Sequence, residues 1–239
     1  MSAAAPQPVP DRPAAAADRQ PVFQAVLGPQ WQALGEVIRR HYFLRPYSDD
    51  RITVSGVMHE VHHNWLARLM MPFARIAGAL VPYRGRDVPI DVHYDCRPDD
   101  GNIYWNRVFR FDGRPPFHFR SHMEQTGPGQ VIEFVRLGIG LRLRVSAEDG
   151  ALVFRDAGYV WRLFGLDVPL PVGLLLGRAY VEERPVDAER FSMKMHLRHP
   201  LFGEVFRYSG SFSVPADTPP ATVVADSAAS GAGASNRPA

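Results

Sequence analysis

The sequence predicts a mainly β fold: a curled antiparallel meander or barrel of nine to ten strands, with two N-terminal helical segments packed on or in it. Three observations lead there. From Ile90 onward, apolar and polar residues alternate with the period of a half-buried strand. Turn signals such as Asp99-Asp100-Gly101-Asn102, Asp112-Gly113 and Glu148-Asp149-Gly150 separate the runs. Helical spacing is confined to two stretches ahead of Val81. A sheet of so many strands tends to curl, and closing on itself removes its exposed edges. No long amphipathic helix follows the last strand, which argues against a helix-grip fold.

The elements follow in chain order. Leu27, Trp31, Leu34, Ile38 and Tyr42 recur every three or four residues, so they share one helical face. Pro29 suits its first turn and Pro46 lies past its end. A first strand spans Ile52 to about Val61. A second helical stretch runs from Asn64 to Leu80, with Trp65, Leu69, Phe73 and Ile76 on one face and Asn64 as N-cap. Pro72 predicts a kink there, or two short pieces. Strands then follow at Ile90–Cys96, Ile103–Phe111 and Phe117–Glu124, and as one long run from Val131 to Val145. The last five are Ala151–Asp156, Tyr159–Phe164, Ala179–Glu183, Phe191–Leu197 and Glu204–Val214.

Composition narrows the setting. The chain has 239 residues, 46% hydrophobic and 22% charged, which is a globular balance. Residues 1–20 and 215–239 are rich in Ala, Pro, Ser and Gly and carry no aromatic, so they are expected to be disordered tails around a single β-rich domain at 21–214. Lys194 is the only lysine, a bias that a GC-rich coding sequence explains. A single cysteine, Cys96, excludes an intrachain disulfide and any Cys-rich zinc module, and fits a reducing compartment. The net charge of +2 makes no case for nucleic acid. The best apolar stretch, Leu69–Val81, contains Arg75 and Pro72 and is too short to span a membrane. No signal core follows the start, so the expectation is a cytoplasmic protein. No G-x-G-x-x-G or P-loop is present, and no cofactor is expected.

Two groups carry candidate chemistry. His59-Glu60-Val61-His62-His63 matches the H-E-x-x-H zinc signature, which works only on a helix. Here β-branched residues lead straight into it and the helix cap, Asn64, comes after it. On a strand His59 and His63 share a face about 13 Å apart, too far for one ion. A zinc hydrolase is therefore the weak alternative, and a polar outer strand face the expectation.

The second group is quieter. Arg107 lies between Trp105 and Phe109, and Ser121 between Phe119 and Met123. Glu133 shares parity with Val131, Val135 and Leu137. These polar residues land on faces that should be buried, where a charge must be paired. Trp105, Arg107, Ser121, Glu133 and Arg136 thus become the candidate binding residues for a small apolar or amphipathic ligand, without catalysis. The alternatives are a structural ion pair, or a bulge at Gly138 or Gly140 that turns Glu133 outward. A further alternative is an accessory domain for a separately encoded oxidoreductase or membrane partner.

Several segments resemble an uncharacterised bacterial family, domain-of-unknown-function family 4166. They are Leu27–Trp31, Trp105–Phe109, Ser121, Glu133, Arg136-Leu137-Gly138, Phe164–Pro171, His199–Val205 and Arg207–Gly210. The resemblance covers about Phe23 to Val214. Some members carry this domain after a saccharopine-dehydrogenase-like NAD(P)-binding domain, which is why an oxidoreductase partner is considered. The resemblance implies no catalytic residues.

Overall fold

Strand pairing runs almost unbroken along the chain, because short turns leave each strand beside its predecessor. The computed structural model describes residues 19–218. In order the strands are β1 (Arg51–His63), β2 (Gly85–Cys96), β3 (Ile103–Phe109), β4 (Phe117–Gly127), β5 (Gln130–Phe134), β6 (Ile139–Glu148), β7 (Ala151–Leu163), β8 (Leu166–Leu170), β9 (Arg178–Pro185), β10 (Arg190–His199) and β11 (Gly203–Ser213). Each of β1 to β7 pairs antiparallel with the next. β7 then splits its edge: Leu152 faces Glu183 of β9, while Trp161 faces Val168 of β8. β9, β10 and β11 continue round to β1, so ten strands close a barrel and β8 lies outside it.

Two runs differ from their sequence reading. The expected single strand from Val131 to Val145 is two strands, because the chain turns at Arg136–Gly138. Leu137 and Gly138 there take φ of 62° and 71°, in the left-handed region that breaks a strand. Conversely, the stretches around Asp156 and Tyr159 are one strand. Gly158, at φ 109°, absorbs the irregularity between them.

The first helical stretch is also divided. It consists of α1 (Val22–Leu27), a 3-10 segment (Gly28–Ala33) and α2 (Glu36–His41), broken at Gly28, where φ is 55°, and again before Gly35. Its five expected apolar residues are all buried nonetheless. The segment covers one end of the barrel. Gly35 N–H donates to the Gly150 carbonyl at the β6–β7 turn, and Gly129 N–H at the β4–β5 turn donates to Val26. Phe23 packs edge-on to Phe154, and Tyr42 lies 6.3 Å from Trp105, so the segment reaches into the interior.

The opposite end carries α3 (Trp65–Ala77) and α4 (Gly173–Leu176). The Asn64 side chain accepts from the Leu66 and Ala67 N–H groups, as its sequence position predicts. Pro72 does not split the helix in two: it runs unbroken from Trp65 to Ala77, and Gly78 closes it in the left-handed conformation. The face that periodicity groups is the outer one. Leu66, Ala67, Met71, Ala74 and Ala77 face the barrel, whereas Trp65, Leu69, Phe73 and Ile76 are exposed.

Candidate functional site

The barrel interior holds a cavity of about 240 Å³. Its wall is mostly aliphatic and aromatic, drawn from the inward positions of β3 to β7 and β9 to β11 and from α3 and α4. Strand parity sets which polar groups reach it. On β3 the inward set is Ile103, Trp105, Arg107 and Phe109; on β4 it includes Phe119, Ser121 and Met123. Arg107 faces Phe119 across the ladder and Met123 faces Glu133, which brings the three polar residues to one patch.

Arg107 is only 4% exposed. Its Nη2 donates to Glu133 Oε1 at 2.9 Å and its Nη1 to Ser121 Oγ at 3.1 Å. Ser121 in turn donates to the same Glu133 oxygen at 2.7 Å. The guanidinium lies between the rings of Trp105 and Phe119, 4.4 and 4.9 Å from their centroids. Burial works against its charge, but Glu133 together with Tyr208 and Tyr94 more than offsets that, so its pKa is raised and the guanidinium keeps its charge. Trp105, Arg107 and Glu133 line the cavity.

Arg136 does not join them. It sits exposed in the turn after β5, with its stem against Gly78 at the end of α3. The turn at Leu137-Gly138 carries it away from the Arg107–Glu133 pair beside which it was expected.

Glu183 was missed. It shares inward parity with Ala179 and Val181 on β9, and that alternation was visible in the sequence. It is 3% exposed and lines the cavity, and its buried Oε2 has no donor in full hydrogen-bonding geometry, with the unpartnered Tyr42 hydroxyl close by. His41 Nδ1 stands 3.6 Å from that oxygen. Burial pushes the Glu183 carboxyl up to about 7, against the pull of Tyr42 and Arg107. Burial also drives His41 down to about 3, so the imidazole is neutral. The indole N–H of Trp105 and the hydroxyl of Tyr159, both on the cavity wall, are likewise unpartnered.

The zinc alternative meets a different geometry. His59, Glu60 and His63 lie on β1, and a bulge between Met58 and Glu60 shifts the register against β11. His59 therefore points outward, 2.9 Å from Ser211 Oγ, while His63 is buried on the inner face. The shared strand face expected for the two histidines is thus overturned. Glu60 is held by Arg207 at 2.9 and 3.0 Å. Among the described residues, no group of three or more His, Cys, Asp or Glu is placed to hold a metal ion.

No helix among the described residues is long and apolar enough to cross a membrane. No curated protein and no solved structure matches the chain at a significant level. A family model does match, over residues 34–212, and so takes in β1 to β11 up to Phe212 with the Arg107–Ser121–Glu133 patch. The chain therefore belongs to the family described as Domain of unknown function (DUF4166).

Proposed function

We propose that the barrel binds a small amphipathic molecule, apolar body in the cavity and polar group at the patch of Trp105, Arg107, Glu133 and Glu183, without chemistry of its own. The observation that carries this reading is the pairing of an apolar cavity with a few convergent polar groups. Ser121 fixes Arg107 and Glu133 from behind. Glu183 is the group with an unmet acceptor oxygen, so a donor, such as a hydroxyl or an amine, is the complementary ligand group.

Native mass spectrometry of the full chain tests this with decanol and decylamine as probes. The expected result is a one-to-one adduct that Ala79→Trp, which fills the mouth of the cavity, removes. Masses of the bare chain alone, before and after incubation with either probe, overturn the reading.

A further inference from the structure

The end of the barrel that carries α3 has an unusual surface. Among the described residues, all but Tyr47, Val57 and Val186 of the sixteen exposed large apolar side chains lie there. They include Trp65, Leu69, Phe73 and Ile76 along α3, Leu174 and Leu175 in α4, Leu201 and Phe202 in the β10–β11 turn, and Phe164, Leu166 and Val168 around β8. Contacts tie α3 to the β10–β11 turn and α4 on one side and to the Arg136–Gly138 turn on the other. Trp65 packs edge-on against Phe202 at 5.6 Å, and Phe202 lies 4.7 Å from the His199 ring. His199 Nε2–H donates to the Leu174 carbonyl. At the other end of α3, Gly78 abuts Arg136, and the Trp161 indole donates to the Leu137 carbonyl. Isolated exposed apolar residues need no explanation, but a continuous patch on one end of a barrel does.

Charge says what covers it. Across α3, the Arg136–Gly138 turn, β8, α4 and the His199–Gly203 turn there is one carboxylate, Asp167, and Arg162 holds it. The same region carries Arg68, Arg75 and Arg136, and its edges add Arg178 and Arg198, all exposed, against one edge carboxylate, Glu204, which faces Arg198 across the ladder and is held by Arg207. None of these five pairs with a carboxylate among the described residues. Aromatic and aliphatic side chains interleaved with unpaired cations on an amphipathic helix are the composition of an interfacial helix.

We propose that this end of the barrel docks on an anionic lipid bilayer, with the exposed face of α3 seated among the acyl chains and its arginines on the headgroups. Phe73 is 67% exposed and also lines the cavity, so the cavity reaches the surface within the docked face. The proposal goes beyond ligand binding and stands without it, since the docking face is present whatever the cavity holds.

Co-sedimentation of the full chain with vesicles provides the test, using phosphatidylcholine alone and phosphatidylcholine mixed with phosphatidylglycerol. The chain is expected to sediment with the mixed vesicles and to leave them as salt is raised. Tryptophan emission should shift to the blue on binding, and Trp65→Phe should reduce that shift while binding persists. Leu69→Ser with Ile76→Ser is expected to weaken binding by roughly tenfold or more. Arg68→Ser with Arg75→Ser is expected to weaken it by roughly tenfold. All four positions are exposed, and an unchanged circular dichroism spectrum verifies folding. Binding to neither vesicle, equal binding to both, or self-association through this face in place of vesicle binding each overturns the proposal. Because decanol adducts are read without vesicles, a failure here is distinct from a failure of the cavity.

Discussion

Arg107 keeps its charge inside the barrel because Glu133, Ser121 and two aromatic rings are built around it. Removing one partner of such a pair strands the other, whereas removing both does not. Arg107→Leu is expected to destabilise the protein by about 3 kcal/mol in chemical denaturation. Arg107→Leu combined with Glu133→Leu should recover most of that loss. Glu183 makes the opposite case, since burial outweighs the pull of Arg107 and no cation is bonded to it. Its carboxyl titrates near 7 in the folded protein and in the ordinary carboxylate range when unfolded. The folded state thus holds the proton longer, so Glu183 favours folding at low pH and that contribution is lost as pH rises through about 7. Glu183→Gln is expected to be more stable than the wild type by about 3 kcal/mol at pH 8, with the gap shrinking toward pH 5. A gap that is constant with pH would show that Glu183 does not titrate in this range. Arg107, Ser121 and Glu133 were legible because a strand's alternation assigns each residue a face. Glu183 obeys the same rule on β9. His41 was not legible, because its approach to Glu183 depends on how the N-terminal segment enters the barrel.

At the level of elements, capping and close approach decide the local structure. Asn64→Ala removes the acceptor for two N–H groups of α3 and is expected to lower stability by about 1 kcal/mol, read from thermal melts. Gly210 of β11 lies so close to β1 that a Cβ there would meet the Val57 carbonyl at 2.6 Å. Gly210→Ala must spread the two strands and is expected to cost about 1–3 kcal/mol in the same assay. Most elements could be read from period and turn chemistry, as at Asp149-Gly150, where β6 passes to β7 in two residues. The break between β5 and β6 could not, because apolar residues run through it and Leu137 takes a conformation rare for its type. The exposed face of α3 could not be read either. Periodicity groups Trp65, Leu69, Phe73 and Ile76 on a face but does not say what that face meets.

For the whole molecule, ring closure explains the division of labour between the two ends. The pairing of β1 with β11, the first strand with the last, is the longest in sequence and has no local signal, yet it turns a meander into a barrel with an inside. The N-terminal segment covers one end of that inside, and α3 and α4 border the other. Between them lies the cavity with Arg107, Glu133 and Glu183 on its wall. Trp105 stands on the same wall, so its emission reports what enters. The most direct test is therefore a fluorescence titration of the full chain with decanol and decylamine, run beside Ala79→Trp. Saturable one-to-one binding of the probes, weakened by Glu183→Gln and abolished by Ala79→Trp, is the expected result. No saturable binding by the folded wild type, or binding that Ala79→Trp leaves intact, would contradict a ligand site inside the barrel.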